Sequence, residues 1–467
     1  MITETQQSLA QAVVASAQAD AAAAPNQSLA LPDVYAAELD ASIAAAEANG
    51  PRWLADLRRA GAAAARAQGF PTTKHEDWHY TSTAALAEAG YPTLASASGA
   101  VTAADLAPYA FGHDEWPTVV FVNGRFDASR STLDRLPDGV RVLPLARALG
   151  EEPETLERVL GRIATPDAQP FVALNQGLFV DGALVVVQKE MEADVPVHLL
   201  YVTDASGARG ATHPRTVIVA ERHSKVTVIE SHVGLGDAAY LANPVTEVEV
   251  ADGATVHHVL QQRQSQRAFH LAHVEARQGR DSHFVQFSFA IGAALSRTNV
   301  YTLLGGEGCG ATLNGLYLLD GAQHCDHQTR IEHAQPNTYS RELYKGILDG
   351  QSHGVFNGKV YVRPVAQKTD GKQTNNTLLL SEQAQIDTKP QLEIFADDVK
   401  CTHGATVGRL DQTALFYMKS RGLTDETARK LLTYAFAADA LETIELEAVR
   451  DGLEALTMAR YTGASAA

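Results

Sequence analysis

The sequence has little cysteine and no long apolar run. Its 467 residues include three cysteines, Cys309, Cys325 and Cys401, an odd and widely spaced set that does not suit a disulfide framework. No apolar run is long enough to span a bilayer. The first fifty residues contain neither lysine nor arginine, so the Ala-rich start lacks the basic region of a secretion signal and the arginines of a transit peptide. These absences predict a protein of the reducing cytoplasm without a membrane anchor.

Basic residues are also outnumbered across the chain. There are 38 Lys and Arg against 55 Asp and Glu, which gives a formal net charge of -17. Such a surface repels phosphate backbones, so nucleic acid is not an expected partner. A G-x-x-x-x-G-K-[ST] loop is missing too, because GVFNGKV at residues 354–360 has the wrong spacing and lacks the hydroxyl that would hold magnesium. The chain is therefore not expected to hydrolyse nucleotides through such a loop.

Composition and apolar spacing divide the chain into three predicted domains. They are an N-terminal helical domain with a frayed, Ala-rich start (1–115), a β core (116–405) and a C-terminal helical domain (406–467). Apolar residues at helical spacing between Pro51 and Gly69 predict an N-terminal helix. Asp411 and Thr424 stand where N-caps of two C-terminal helices are expected. Helical periodicity largely disappears after Thr118 and returns near the C-terminus.

A short pattern repeats between about residue 195 and residue 400. Each copy has a β-type run, a polar turn that usually contains glycine and a second β-type run, as in VEVADGATVHHVLQQ. Such units bury their apolar face by stacking on their neighbours. The pattern predicts a mainly β fold built as a parallel β-solenoid. An antiparallel sandwich stays open as the alternative, because short strands with turn signals also describe that class.

The segment HEDWH matches a zinc-protease pattern. In H-E-x-x-H the two histidines, here His75 and His79, hold the metal from one face of a helix and the glutamate activates water. This copy lies in GFPTTKHEDWHYTST, where Pro71 and the surrounding Thr, Trp and Tyr residues do not favour a regular helix. A structural role for the segment is the better prediction, and a zinc enzyme remains the alternative.

The segment QHCDHQTRIEH is rich in side chains that bind transition metals. On a strand, His324 and Asp326 would share one face while Cys325 and His327 would share the other, so the group cannot converge on one ion without a bend. A polar solenoid edge that also carries His333 is the preferred interpretation. Cys309 lies among glycines in GEGCGATLNG, where a thiol most often serves as a small packed residue.

The third cysteine lies two residues before a histidine in FADDVKCTHGATVG. If this segment ends a strand, Cys401 and His403 point to the same face, with Cα atoms about 6.6 Å apart at two strand steps. An adjacent imidazolium would favour the thiolate, which is the form that takes sulfur or binds metal. From the residues alone, a packed cysteine beside a hydrogen-bonded histidine is the preferred interpretation.

A long ordered set of motifs in the C-terminal half resembles the SufB/SufD family of iron-sulfur cluster assembly proteins. The set consists of LNGLYL, HCDHQTRIEHAQPNTYSRELYKGILDGQSHGVFNGKVYV, AQKTDGKQTNNTLLLSEQAQIDTKPQLEIFADDVKCTHGATVGRLD and ALFYMKSRG. KHEDWHYT is similar to the N-terminal EDW segment of the family. CTHGATVGRLD, LFYMKSRG and YAFAAD resemble the SufD branch, because the SufB branch has an acidic residue after the histidine. The resemblance implies a right-handed parallel β-helix between two helical domains.

The resemblance further implies a non-catalytic scaffold that works with a SufB chain and the ATPase SufC. It would take part in iron acquisition and in building a nascent cluster at the SufB/SufD interface, with His403 and Cys401 as the site residues and metal ligands. Docking of SufC would use the C-terminal helices, through Asp411, Leu415, Phe416, Tyr417, Arg421, Leu431 and Tyr434.

Several points stay open at this level. The resemblance leaves undecided whether a flavin binds the complex and whether the isolated chain forms a homodimer. One alternative within the family is a SufB-type paralogue that accepts persulfide sulfur itself. The alternative from another class is a β-solenoid hydrolase, or a zinc enzyme that uses His75 and His79.

Overall fold

The computed structural model describes residues 28–94, 101–111, 113, 115–205 and 209–462. The Ala-rich start through Asn26, predicted to be frayed, lies outside these residues. The first helices are α1 (Asp33–Asn49), α2 (Arg52–Gln68), α3 (Ala84–Ala89) and α4 (Ala103–Leu106). The predicted helix between Pro51 and Gly69 is confirmed as α2. Gly69 ends it with a φ of 60°, a backbone conformation that suits glycine.

Strands begin at Thr118 and end at Gly408. They are β1 (Thr118–Val122), β2 (Arg125–Phe126), β3 (Val140–Pro144), β4 (Gly182–Val187), β5 (Val197–Asp204), β6 (Ala211–Thr212), β7 (Arg215–Ala220), β8 (Lys225–Leu235), β9 (Leu241–Ala242), β10 (Val245–Val250), β11 (Thr255–Arg263), β12 (Phe269–Gln278), β13 (His283–Ala290), β14 (Leu295–Leu304), β15 (Gly310–Leu319), β16 (His324–His333), β17 (Tyr339–Leu348), β18 (His353–Val362), β19 (Asp370–Leu379), β20 (Gln385–Ile394) and β21 (Lys400–Gly408).

The strands form a parallel β-solenoid of about seven turns. The strands form two sheets, which run β2-β1-β5-β8-β11-β13-β15-β17-β19-β21 and β20-β18-β16-β14-β12-β10-β7-β4-β3. From β10 onward, successive strands alternate between the two sheets. Pairing between successive turns is parallel and in register, as from Phe269 beside Leu295 to Gln278 beside Leu304. The solenoid prediction is confirmed, and the antiparallel sandwich is wrong: among the named strands of the described residues, antiparallel pairing is confined to β1 with β2 and β3 with β4.

Three short helices interrupt the β region between β3 and β4. They are α5 (Leu145–Glu151), α6 (Pro153–Val159) and α7 (Pro170–Leu178). The prediction that helical segments cease after Thr118 is wrong here, because helices of seven to nine residues are too short to show a clear apolar period. Helix α7 packs against α1 and α2 and fixes the N-terminal helices on one flank of the solenoid.

The C-terminal helices lie on the outer face of the first sheet. They are α8 (Gln412–Ser420), α9 (Asp425–Leu441) and α10 (Glu447–Thr462). Ile347 of β17 and Leu441 of α9 are fully buried in one apolar cluster. Lys345 reaches from β17 to α9, where its Nζ donates to the Phe436 carbonyl at 2.9 Å and to Asp439 at 2.6 Å. None of the helices in the described ranges combines the length and apolar character needed to cross a membrane.

Candidate functional site

The last strand of the first sheet has one unpaired edge. Strand β21 pairs with β19 from Lys400 beside Asp370 to Gly408 beside Leu378, and no other described strand pairs with it. Strand β20 ends the second sheet in the same way. Most side chains of β21 are exposed, whereas strands in the middle of the solenoid are largely buried. The C-terminal end of the solenoid is therefore open.

Cys401 and His403 face the interior of this open end. In register they lie beside Gly371 and Gln373 of β19, both of which are buried. Cys401 is half-buried and packs against an apolar cluster that includes Val360, while His403 is exposed. The predicted common face follows from this register, since paired residues of parallel strands project to the same side. No turn covers the two side chains within the described part of the chain.

The Cys401 thiol is less acidic than a free cysteine. Its partial burial raises its pKa and the nearby Asp370 carboxylate acts in the same direction, against a lowering hydrogen bond from the Gly371 backbone. This is the opposite of the shift that an adjacent imidazolium would give. The thiolate that a metal ion requires is thus favoured only when the ion itself or a partner supplies positive charge.

Beneath His403, the side chains of Gln373 and Glu342 form a polar column that continues into the solenoid. Gln373 is 1% exposed and Glu342 of β17 is 4% exposed. The Gln373 amide Nε2 donates to Glu342 Oε2 at 2.7 Å. Burial raises the pKa of Glu342 to about 7, although the Gln373 amide opposes this shift. Sequence reasoning missed both residues, because they lie 31 positions apart and only the solenoid repeat, aligned turn by turn, brings them together.

The site offers too few ligands to hold a metal ion alone. Within the described ranges no group of three or more His, Cys, Asp or Glu side chains could do so. Cys401 and His403 supply one sulfur and one imidazole. Any metal centre here needs further ligands from outside the described residues of this chain.

The segment that contains HEDWH contacts the histidine-rich strand β16 through Thr81. In HEDWH, residues Glu76–Trp78 form a single 3₁₀ turn, so His75 and His79 do not lie on a regular helix. Thr81, just after this turn, is 2.9 Å from His324 Nε2 and donates to Asp326 Oδ2 at 2.6 Å. The shared face predicted for His324 and Asp326 is consistent with these two contacts. These contacts attach the N-terminal segment to the second sheet.

A buried ion pair strengthens that attachment. Arg297 donates to Asp326 at 2.5 Å and to the Asp77 carbonyl at 2.7 Å. Its guanidinium lies 3.9 Å from the centre of the Trp78 ring, a favourable stacking of a cation on an aromatic face. Trp78 of HEDWH is therefore a structural group, and Asp77 takes part through its backbone carbonyl.

The other two cysteines are packed residues, as predicted for Cys309. The polar solenoid edge predicted for the segment around Cys325 is wrong, because most of this strand is buried. Cys309 is fully buried, its thiol donates to the Gly306 carbonyl at 2.9 Å, and burial raises its pKa to about 11. Cys325 is 1% exposed, and burial raises its pKa to about 12. His327 and His333 are buried on the same strand as Cys325. Thiols of this kind are poor nucleophiles.

A literal G-x-S-x-G pattern is present at residues 350–354. In serine hydrolases this pattern forms a sharp turn from a strand into a helix, but here it joins β17 to β18. Ser352 is fully buried and its hydroxyl donates to the Asp349 carbonyl at 2.7 Å. His353 bonds instead to Asp387 at 2.7 Å. Ser352 is a turn residue, and its geometry does not favour the hydrolase alternative.

The predicted docking residues fall into two groups. Asp411 caps α8 by accepting from the Thr413 amide, Leu415 is buried, and Tyr434 donates to Glu454 at 2.9 Å. The predicted Asp411 and Thr424 caps are both confirmed. Four side chains remain at the surface, namely Phe416, Tyr417, Arg421 and Leu431.

Phe416 and Tyr417, with Arg421 at the end of the helix, form an aromatic patch on α8, whereas Leu431 lies on α9. Phe416 is 74% exposed and Tyr417 is 58% exposed. The Arg421 guanidinium lies 5.1 Å from the centre of the Tyr417 ring and donates to its hydroxyl at 3.1 Å. Exposed aromatic residues with an arginine beside them are typical of protein interfaces.

Comparison with known proteins agrees with this architecture. Residues 201–436 match the family model described as SUF system FeS cluster assembly, SufBD core domain, and residues 33–199 match the SufBD protein N-terminal region. The chain is 31% identical over 397 residues to the iron-sulfur cluster assembly protein SufD of Escherichia coli, which covers 85% of this chain and 90% of that protein.

Two further relatives extend this match. An iron-sulfur cluster assembly SufBD family protein of Synechocystis is 32% identical over 392 residues, covering 82% of this chain and 86% of that protein. SufD of Bacillus subtilis is 30% identical over 296 residues, covering 62% of this chain and 66% of that protein. The chain belongs to the SufB/SufD family of SUF-system iron-sulfur cluster assembly proteins and is SufD-like.

Proposed function

We propose that this chain is a scaffold on whose open solenoid end a nascent iron-sulfur cluster is assembled. The observation that carries this proposal is the placement of Cys401 and His403 on the inner face of an edge strand with no further strand beyond it. Thiolates are the usual ligands of iron-sulfur clusters and imidazole replaces them in some centres. The cluster, or iron on its way into it, is the cargo of the site.

A second solenoid chain of the SufB type would complete the site. Two ligands fall short of the four protein ligands that iron-sulfur clusters commonly use. The unpaired edges of β20 and β21 offer backbone groups to another edge strand, and Phe395 and Val407 expose apolar surface there, at 55% and 50%. A paired partner would bury this surface and bring its own ligands beside His403.

The ATPase SufC would bind at the aromatic patch on α8. The chain itself has no G-x-x-x-x-G-K-[ST] loop, so nucleotide hydrolysis would belong to the partner. Movement of that partner would reach the solenoid through α9, which Lys345 ties to β17. In this arrangement the chain acts as a non-catalytic scaffold in the cytoplasm, where its thiols stay reduced.

Replacement of one side chain tests the proposal. His403→Ala should leave folding and SufC binding intact, because His403 is exposed, and should abolish maturation of a cluster by the complex formed with SufB and SufC. Thr402→Ala, on the opposite face of the same strand, is the matched control and should mature clusters normally. Cluster yield is measured by absorbance and by transfer to an apo acceptor protein. Normal maturation by His403→Ala would contradict the proposal.

A further inference from the structure

Gln373 lies directly beneath His403 in the stack of strands. The two residues are register partners on β19 and β21, so their side chains project to the same face, about 4.8 Å apart at the backbone. Gln373 is 1% exposed. It is thus the first buried polar side chain between the candidate site and the solenoid interior.

Neighbouring residues on β17 and β18 fix the orientation of the Gln373 amide. Its Nε2 donates to Glu342 Oε2 at 2.7 Å. A Cβ atom on Gly358 of β18 would lie only 2.2 Å from this nitrogen, so the glycine leaves the space that the amide occupies. Above about pH 7, where Glu342 is ionised, its carboxylate only accepts hydrogen bonds and therefore holds the NH2 group of the amide toward itself.

The amide oxygen is left without a partner. Gln373 Oε1 is buried and has no hydrogen-bond partner among the described residues, which is uncommon for a buried polar atom. With the nitrogen held by Glu342, this oxygen is a free acceptor in the strand next to His403. The neighbouring polar ring on the same face is that of His403.

We propose that Gln373 is a positioning residue for His403, with its Oε1 accepting the N–H of the His403 imidazole and Glu342 fixing the direction of that acceptor. A neutral imidazole carries one N–H, and the nitrogen without hydrogen is the one that can bind a metal ion. A hydrogen bond at one nitrogen therefore selects which nitrogen faces the open end of the solenoid. This inference rests on the proposed function, because it assigns iron to that second nitrogen.

Histidine nitrogen NMR on the full-length chain tests the hydrogen bond. The protein is labelled with ¹⁵N-histidine, and the His403 signals are identified by their loss in His403→Ala. The wild type should show a single tautomer at His403, whereas Gln373→Met, which keeps the length of the side chain but removes the acceptor, should show both. Asn375→Leu is the matched control, because Asn375 is equally buried on β19 but faces Ala405, and it should match the wild type.

Two double variants keep the test decisive if Gln373→Met does not fold. Glu342→Met with Gln373→Met replaces both partners by apolar groups, which leaves no buried carboxylate, and should give mixed tautomers. Glu342→Gln with Gln373→Glu exchanges the two groups but keeps an acceptor beneath His403, and should restore the single tautomer. A purely structural role of Gln373 would not produce this rescue.

The outcomes separate this inference from the proposed function. A mixed tautomer in the wild type, or a single tautomer in the folded variants that lack an acceptor, overturns the inference even if His403→Ala abolishes cluster maturation. Normal maturation by His403→Ala overturns the proposed function whatever the tautomer is. A single tautomer that depends on Gln373, together with loss of maturation in His403→Ala, supports both.

Discussion

The two ends of the solenoid differ in the pairing and burial of their last strands. At the N-terminal end, the edge strands β2 and β3 pair antiparallel with β1 and β4, and β1 is almost completely buried. At the C-terminal end, β20 and β21 have no further pairing partner among the described strands, and their side chains are half-buried or exposed. Proteins usually blunt or cover their sheet edges to prevent unwanted pairing. An edge left uncovered beside the candidate site supports the proposed pairing with a second solenoid chain.

Two buried glutamates in the solenoid interior, Glu230 and Glu342, differ in the direction of their pKa shifts. Glu230 of β8 accepts from His232 at 2.8 Å, from His258 at 3.2 Å and from Thr246. Although burial opposes it, these bonds hold the pKa of Glu230 well below its usual range. Glu342, two turns from the open end, accepts from the Gln373 amide, and burial raises its pKa to about 7. At Glu230 the hydrogen bonds outweigh the effect of burial on the pKa, whereas at Glu342 burial outweighs the hydrogen bonds.

We expect buried side chains near the N-terminal end of the solenoid to contribute most to the free energy of unfolding. Arg215 of β7 and Glu247 of β10 form an ion pair at 2.6 Å, with side chains 1% and 0% exposed. Arg215→Met leaves the Glu247 carboxylate buried without its cation, which should lower the free energy of unfolding by about 3–5 kcal/mol. Urea denaturation followed by circular dichroism measures the loss.

The matched control for Arg215 is an exposed pair on the same sheet. Arg277, which is 41% exposed, bonds to Glu249 at 2.9 Å. Arg277→Met should change the free energy of unfolding by less than about 1 kcal/mol, as is usual for surface pairs. Equal losses in the two variants would mean that burial of the Arg215–Glu247 pair adds nothing to its contribution to the free energy of unfolding.

The next largest effect is a pH dependence that originates near the open end. The Glu342 carboxyl keeps its proton to about pH 7 in the folded chain, against an ordinary value of 4.5. The folded state therefore binds more protons between these pH values, and the free energy of unfolding falls as the pH rises through them. Glu342→Gln should remove this decline and raise stability at pH 8 by about 3 kcal/mol relative to wild type, with little change at pH 4.

Denaturation of both proteins at a series of pH values measures this difference. Glu230→Gln is the informative comparison, because the pKa of Glu230 is shifted in the opposite direction. It should lower stability at neutral pH rather than raise it. Parallel pH profiles for wild type and Glu342→Gln would show that the buried carboxyl is not the source of the slope.

The repeats and the helix caps were accessible to sequence reasoning, because their signals are local. A β-type run followed by a glycine turn and a second run is visible in any single turn of the solenoid. Caps such as Asp411 and Thr424 are recognised from a few neighbouring residues. The short helices α5 to α7 were missed because so few residues carry no clear period.

The open-end column was not accessible in this way. His403, Gln373 and Glu342 come from three successive turns of one sheet, and nothing in their immediate neighbours links them. Their alignment depends on the register of two strand pairs, and a slip of one residue would turn every side chain to the other face. Local motifs therefore identified Cys401 with His403 as a pair but could not identify what lies beneath.

The smallest effect on stability is expected at the aromatic patch, which extends the comparison to the C-terminal helices. Phe416 and Leu415 are adjacent on α8, yet Phe416 is 74% exposed and Leu415 is 3% exposed. Phe416→Ser should change the free energy of unfolding by less than about 0.5 kcal/mol, as surface changes do. Leu415→Ala should cost about 2–5 kcal/mol, because it empties a packed site.

Binding of SufC should follow the opposite order. Truncation of an aromatic residue at the centre of an interface costs about 2 kcal/mol or more, so Phe416→Ser should weaken SufC binding by about 30-fold or more. Arg429→Ala, on the exposed surface of α9 where Arg429 bonds to Asp425, is the control and should bind normally. Calorimetric titration of each folded variant with SufC gives the affinities. Wild-type affinity in Phe416→Ser would remove α8 from the docking surface, whereas weak binding with unchanged stability would show that this side chain, like the open strand edge, is exposed because a partner covers it.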